Sequence, residues 1–492
     1  MKTYVINPPF KAEYGKFSRE SRSPAVTKSG ALYYPLWLIY AAALLENEAG
    51  FEVEFLDAPA APLNTEQSLE TIGRNGEGTR LFVLGTSTPS ISNDAAFGGM
   101  LKDRYPDSFV LLVGTHPSAL PEQTLALDSR IDGVARREYD FIVRDLARAL
   151  AEGGGLDGVL GLSYRSGGQI VHNADMPYIE NLDVIPYAAQ FIKERLNARD
   201  YFFAAASFPS IQIFAGRGCP CRCNYCVYPQ VFHGHGYRLR SPRNVVGEFE
   251  YIAENFPDVR EVVIEDDTFT VNKNRMSEIC ELLIEKGLNK RLKWLCNARV
   301  NLDLETMKLM KKAGCRLIIP GIESGNQQIL DNVKKSTKIE QIHQYVADSK
   351  RAGLLVHACY MVGNRGETKD TMEQTLALAL KLNTDTAQFF PLIPYPGTEA
   401  YEWASSNGYI NSDFDSYCKE DGTHNCVIDI PGITAGELVD FCDAARKKYY
   451  LRPRYILHRV RMGLIDKNDL KRSLKAFKKL KKYLFKRAGS NS

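Results

Sequence analysis

Gly216-Arg-Gly-Cys-Pro-Cys-Arg-Cys-Asn-Tyr-Cys226 is the stretch around which the rest of the chain is read. It holds four of the eleven cysteines, and Cys219, Cys223 and Cys226 have the spacing C-x3-C-x2-C, with Cys221 left out. Three thiolates this close on one loop can hold three corners of an iron–sulfur cluster and leave the fourth iron without a protein ligand. An open metal position of this kind is where a substrate or cofactor coordinates, as in catalytic zinc sites. Structural zinc sites usually present two ligand pairs, whereas here only His233 and His235 follow closely, within Phe232-His-Gly-His-Gly-Tyr237. The cluster is the preferred reading and zinc the alternative.

The 492 residues are too many for one ordinary domain, and 44% hydrophobic with 25% charged residues is a soluble globular composition. Met1-Lys-Thr-Tyr-Val-Ile-Asn-Pro-Pro runs into a strand and a proline turn rather than a secretory signal. The apolar run from Tyr33 to Leu45 is 13 residues, too short for a bilayer and right for a buried helix. Eleven cysteines without an export signal predict reduced thiols in the cytoplasm. The net charge of +3 conceals an asymmetry: from Arg446 to Arg487, 17 Lys and Arg stand against Asp466 and Asp469. A basic tail of this kind serves an anionic partner.

Ahead of the cysteine loop, residues 1–150 alternate apolar runs with helical patterns. Tyr4-Val-Ile6, Val53-Glu-Phe-Leu56, Leu81-Phe-Val-Leu84, Phe109-Val-Leu-Leu-Val113 and Ile131-Asp-Gly-Val134 read as strands, with helices near 33–48, 92–104 and 139–151. The alternation predicts a doubly wound, Rossmann-like parallel sheet, whose ligands bind at the carboxyl ends of the strands. Residues 151–205 read as a linker with a hairpin between Gly161-Leu-Ser-Tyr-Arg165 and Gln169-Ile-Val-His172. Residues 206–400 hold a second series, with strands at 211–214, 261–264, 292–296, 315–319, 355–359 and 386–390. Six strands with intervening helices predict a partial (β/α)6 barrel, its site at the strands' carboxyl ends, where the cysteine loop follows the first strand. Residues 401–492 read as mostly helical and basic, with Leu474, Phe477, Leu480, Leu484 and Phe485 at helical spacing among lysines.

Cys219-x3-Cys223-Asn-Tyr-Cys226 resembles the signature of radical S-adenosylmethionine enzymes. The resemblance implies a 4Fe–4S cluster on Cys219, Cys223 and Cys226 whose open iron takes S-adenosylmethionine. One electron then cleaves it to methionine and a 5′-deoxyadenosyl radical that abstracts hydrogen. Later segments are similar to the same barrel: Val263-Ile-Glu-Asp-Asp-Thr-Phe269, Cys296-Asn-Ala-Arg299, Gly321-Ile-Glu-Ser-Gly325, Met361-Val-Gly-Asn-Arg-Gly-Glu-Thr368 and Pro394-Tyr-Pro-Gly-Thr398. The implied contacts to S-adenosylmethionine are Tyr225, Glu265, Asp266, Arg299, Glu323 and Ser324, with Glu265-Asp266-Asp267 standing where the family has small residues and a Glu. Acids can accept ammonium and ribose hydroxyls, while Arg can clamp a carboxylate.

With that barrel, the N-terminal sheet resembles the cobalamin-binding domain fused to many such enzymes, in Asn7-Pro-Pro9, Tyr34-Pro35, Asp57, Thr86-Ser-Thr88, Gly114-Thr-His116 and Glu138. The resemblance implies cobalamin contacts at Pro9, Thr86, Ser87, Thr88, Gly114, His116 and Glu138. The D-x-H-x-x-G motif that supplies a histidine to cobalt is absent, so the cobalamin is expected without a protein histidine on cobalt. In methylating members a substrate radical takes its methyl from methylcobalamin and a second S-adenosylmethionine restores it. The implied function is C-methylation of an unactivated carbon. The alternatives are a non-methylating rearrangement, ring contraction or oxidative cyclisation with the same cofactors, or a corrinoid-binding protein with structural zinc. No general base is assigned. Tyr228-Pro-Gln230, Tyr237-Arg-Leu-Arg-Ser-Pro242 and Tyr449-Tyr-Leu-Arg-Pro-Arg-Tyr455 are similar to members acting on hopanoid lipids. The expected partners are a small-molecule or lipid-like substrate and an electron donor of flavodoxin or ferredoxin type. No nucleic acid is expected, and the basic tail is expected to touch anionic membrane.

Overall fold

The structure is a computed structural model that describes residues 1–27, 29–457 and 460. The basic helix expected beyond residue 466 lies outside these. None of the described helices is long and apolar enough to cross a membrane.

Five parallel strands build the N-terminal sheet: β1 (Lys2–Asn7), β2 (Glu52–Asp57), β3 (Thr79–Thr86), β4 (Phe109–Gly114) and β5 (Gly133–Ala135), joined in the order β2-β1-β3-β4-β5. They are legible as apolar runs because a parallel sheet is covered on both faces. The expected hairpin, β6 (Leu162–Ser166) and β7 (Gln169–His172), pairs antiparallel onto β5 and forms the far edge of this sheet. The chain order reverses direction at β1, which places a switch point at the ends of β1 and β3. Helix Thr65–Asn75 carries no apolar run, burying only Ser68 and Ile72; its signal is the capping box between Asn64 and Gln67.

The second sheet is six parallel strands in sequence order: β8 (Ser210–Ile213), β9 (Glu261–Ile264), β10 (Lys293–Ala298), β11 (Cys315–Glu323), β12 (Leu355–Val362) and β13 (Thr386–Pro391). Pairing runs from β8 to β13 without closing, which makes the open-sided six-stranded barrel the sequence predicts. Val263, Leu295 and Leu317 pack with Ala206 at the amino-terminal end of the lumen. Below them Arg316 is paired with Glu261 at 2.6 Å.

Helix α1 (Leu36–Glu46) joins the two units. Leu36 to Leu45 are all buried, with no polar face. An all-apolar helix must be covered from every side. Tyr139, at the N-cap of the helix Asp140–Glu152, and Ile142 within it belong to the same continuous core, and Trp37 packs tilted and Tyr40 stacked on Phe214 just past β8. The N-terminal sheet and the barrel therefore share one core.

Candidate functional site

The cysteine loop hangs from the end of β8 and is closed at its neck by a short ribbon, Gly216–Arg217 pairing antiparallel with Arg238–Leu239. Gly218 sits at φ +87, and a Cβ there would stand 1.9 Å from the Gly236 carbonyl oxygen, so only glycine fits this pinch. Beyond it Cys219 donates its N–H to Gly234 O at 3.3 Å. The other two cysteines are held by one side chain. Gln230 Nε2 donates to the carbonyl oxygens of Cys223, Asn224 and Cys226 at 3.1, 3.1 and 3.0 Å, while its Oε1 accepts the Glu399 N–H at 3.0 Å.

Cys219 and Cys223 are buried and Cys226 is half-buried. Burial pushes the Cys226 thiol well up, so a metal bound here must take the proton's place. The Cys219 thiol donates to Cys221, which raises Cys219 and lowers Cys221 to about 6. Among the described residues no three His, Cys, Asp or Glu converge on one ion position.

Beside Cys223 lies a compact polar group. Arg299, just past β10, places Nη1 3.6 Å from Cys223 Sγ, and its other nitrogen donates to the Lys335 carbonyl. Glu323 Oε1 accepts Lys335 Nζ at 2.7 Å and Tyr225 Oη at 2.9 Å. Glu323 sits at φ +65, a conformation that costs a non-glycine residue about 1 kcal/mol or more and that clusters at functional sites. A Cβ on Gly321 would meet Glu323 Oε1 at 2.2 Å and Lys335 Nζ at 2.7 Å, so that glycine makes room for the pair. Tyr225, Arg299 and Glu323 thus meet, together with Lys335, which the sequence did not single out.

The other expected contacts to S-adenosylmethionine lie elsewhere. Glu265 accepts Gln212 Nε2 at 2.8 Å. Asp266 is buried and accepts the Ala215 N–H at 2.7 Å, holding the base of the loop. Asp267 Oδ2 lies 2.6 Å from His233 Nε2; burial acts to raise it, but His233 and Arg22 outweigh burial and hold it at about 2. Ser324 is fully buried, its hydroxyl spent on Thr375 and the Asn326 N–H, and so faces away from the lumen.

Two cavities adjoin at this end of the barrel. One, of about 500 Å³, lies between the domains and takes in Glu265, Asp266 and Asp267 from the barrel with Arg22 from the N-terminal unit. The second, of about 360 Å³, lies at the carboxyl ends of β1, β3 and β4 and takes in Asn7, Gly85, Thr86, Gly114 and Thr115. This is the switch point, and Glu20, Trp37 and Tyr228 line both spaces. Hydroxyls and strand-end backbone line one side of it and Trp37 and Leu38 the other.

Glu20 and Arg22 are brought here by the long loop after β1, and neither was read from the sequence. The loop is tied to the C-terminal part by Lys11 Nζ on the Lys419 and Glu420 carbonyls, at 2.9 and 3.0 Å, and by the Val26 N–H on Gly422 O at 2.8 Å. Glu20 accepts the N–H groups of Trp37 and Leu38 at 2.8 and 3.2 Å, at the start of α1. Burial pushes it up to about 8 despite these bonds. Arg22 reaches across to Asp267 at 3.3 Å and Glu265 at 3.6 Å.

Of the residues expected at cobalamin, Thr86 and Gly114 line the sheet-end cavity. Ser87 bonds to Ser90 at 2.9 Å and the Pro9 carbonyl accepts Asn93 at 2.9 Å. Thr88 contacts His116 Nδ1 at 3.2 Å; His116 is buried edge-on to Phe414, and burial lowers it to about 4. Glu138 points the other way: it pairs with Arg238, and at 3.4 Å with Arg217, which also holds Asp140 at 2.7 Å. That cluster fastens the neck of the cysteine loop to the N-terminal sheet.

The chain matches the Radical SAM superfamily over residues 213–379 and the B12 binding domain over residues 22–146. It is 29% identical, over 90% of its length and 94% of the relative's, to an uncharacterized methyltransferase of Pyrococcus horikoshii. It is 27% identical, over 90% of its length and 79% of the relative's, to the anaerobic magnesium-protoporphyrin IX monomethyl ester cyclase of Rubrivivax gelatinosus. Its fold is similar to that of the cobalamin-dependent S-adenosylmethionine radical enzyme OxsB solved with aqua-cobalamin and S-adenosylmethionine, with a TM-score of 0.72 and 15% identity over 97% of this chain and 72% of that one.

Proposed function

We propose that this chain, which belongs to the radical S-adenosylmethionine enzymes that carry a B12-binding domain, transfers a methyl group to an unactivated carbon of its substrate. The observation that carries the reading is the junction at Glu20, Trp37 and Tyr228, where the cavity beside the cysteine loop adjoins the one at the sheet's switch point. Two cofactors that act in turn on one substrate need such adjacent sites, and the protein's part is to place them. Cys219, Cys223 and Cys226 would hold a 4Fe–4S cluster, and the strand ends at Thr86 and Gly114 would hold cobalamin. When bound, these groups supply reductive cleavage of S-adenosylmethionine and a transferable methyl. The chain's own residues orient and exclude water: Gln230 fixes the loop, Tyr225, Glu323, Lys335 and Arg299 form a polar wall beside it, and Trp37 and Tyr228 separate the two spaces. The relationship to the Pyrococcus horikoshii methyltransferase supports the same reading.

Cobalt takes no protein histidine in this reading, because His116 is committed to Thr88 and Phe414 and stands outside the cavity lining. The electron comes from a flavodoxin or ferredoxin type donor, and the substrate is a small or lipid-like molecule. The basic tail rests on anionic membrane; equal co-sedimentation with anionic vesicles after removal of residues 466–492 would remove that part of the reading.

The relationship to the Rubrivivax gelatinosus cyclase supports a second reading, oxidative cyclisation with the same cofactors. Product analysis on reconstituted protein separates the two. Methylation yields both 5′-deoxyadenosine and S-adenosylhomocysteine, whereas 5′-deoxyadenosine alone in the complete reaction sinks it.

A further inference from the structure

Four of the buried arginines around the two cavities are seated on carboxylates, whereas Arg275 donates to the Arg240 and Ala215 carbonyls at 2.8 and 2.6 Å. Arg19 is on Asp94 at 2.6 Å, Arg217 on Asp140 at 2.7 Å, Arg238 on Glu138 and Arg240 on Glu248 at 2.5 Å. Arg299, partly buried, differs in having a sulfur among its partners. It is anchored at its backbone, where its N–H meets Thr270 Oγ1 at 3.1 Å. Its guanidinium contacts are a carbonyl, that of Lys335, and a sulfur, Cys223 Sγ at 3.6 Å. The neighbouring Lys335 ammonium is paired with Glu323 at 2.7 Å and makes no hydrogen bond to that sulfur. A partly buried guanidinium N–H needs an acceptor, and Cys223 Sγ, a ligating sulfur in the cluster assignment, is the acceptor it faces.

We propose that Arg299 is a redox-positioning residue, whose N–H directed at Cys223 Sγ raises the reduction potential of the cluster held by Cys219, Cys223 and Cys226. A hydrogen bond to a ligating sulfur favours the state with more negative charge, and such bonds are among the determinants of cluster potential. The step it eases adds one electron, from a low-potential one-electron donor, to the oxidised cluster; no bond breaks and no proton moves. The inference rests on the assignment of the three cysteines. It differs from the carboxylate clamp expected of Arg299, because it acts before any S-adenosylmethionine is bound.

The test is a redox titration of reconstituted full-length protein, followed by the paramagnetic signal of the reduced cluster, without S-adenosylmethionine. Wild type, Arg299→Gln and Arg299→Lys are compared, with iron and sulfide counted in each. The midpoint of Arg299→Gln shifts to more negative potential at four irons per chain. An unchanged midpoint at full iron content overturns the proposal, and a loss confined to S-adenosylmethionine-loaded protein leaves Arg299 as a carboxylate clamp only. Where Arg299→Gln does not keep its iron, Arg299→Lys decides: its compact, strongly hydrated ammonium lacks the guanidinium fork, so a more negative midpoint supports the proposal and a wild-type midpoint overturns it. Wild-type protein that takes up no iron would instead fail the cysteine assignment itself.

Discussion

Replacing Gln230 with leucine removes the side chain that clasps the Cys223–Cys226 turn of the cysteine loop. Its amide nitrogen reaches the carbonyls of Cys223, Asn224 and Cys226 at 3.0 to 3.1 Å, and its oxygen takes the Glu399 N–H at 3.0 Å. Two amide hydrogens shared among three carbonyls, plus one accepted bond, amount to two or three net hydrogen bonds at about 1 kcal/mol each, so the loop loses roughly 2–3 kcal/mol of order. At about 1.4 kcal/mol per factor of ten, the fraction of time the loop stands open rises by roughly two orders of magnitude. Part of that is masked by the iron–thiolate bonds, so iron in reconstituted protein is expected to pass to a chelator at least tenfold faster than in wild type under anaerobic conditions. Gln230→Glu is the sharper variant, since it keeps the length and turns a carboxylate onto three carbonyl oxygens; it is expected to lose iron at least as fast. Iron loss at the wild-type rate in both variants, with full initial loading, would refute the idea that this clasp orders the cluster ligands.

Cys219→Ala, Cys223→Ala and Cys226→Ala each abolish 5′-deoxyadenosine formation, whereas Cys221→Ala retains it; loss in Cys221→Ala breaks the three-ligand assignment. Gly114→Ala puts a Cβ 2.4 Å from Thr86 O at φ +130, so binding of hydroxocobalamin in a visible-absorbance titration weakens strongly, and unaltered binding moves the corrin site away from this strand end. Glu20 gives a pH test. Its carboxyl is raised from about 4.5 to about 8 in the fold, so the native state holds the proton more tightly than the unfolded chain. The stability this supplies is full below pH 4.5 and is lost as pH rises through 8. Glu20→Gln cannot ionise, and its melting temperature relative to wild type therefore improves between pH 5 and pH 8.5. A constant difference across that range contradicts a buried, protonated Glu20.

Much of the fold is legible in the sequence, for a physical reason. Most of the parallel strands among the described residues are buried along their length, as Leu81–Leu84, Val110–Val113 and Glu261–Ile264 are, so each of these is a short, mostly apolar run between polar segments. The cysteine spacing is legible too, because ligand geometry fixes it along the chain. The residues that complete the cavities are not. Arg22 meets Asp267 across 245 positions, and Arg238 meets Glu138 across 100. No periodicity reports a contact of that span. Glu138 shows the cost of reading strand ends one at a time: its position is that of a ligand-facing residue, yet its side chain turns to the neck of the cysteine loop. Lys335 is hidden for another reason, since it stands between Lys334 at φ +57 and Ser336 at φ +53, in a turn no propensity would assign. The consequence is a division within the site. The candidate ligand cysteines lie in one segment and stand out by spacing, while the walls come from both domains. Arg217 depends on Glu138 and Asp140, and stripping a partner from a buried ion pair of this kind costs about 3–5 kcal/mol. The cysteine loop is therefore anchored energetically to the sheet that precedes it, and the barrel's site is completed only by residues the N-terminal unit supplies.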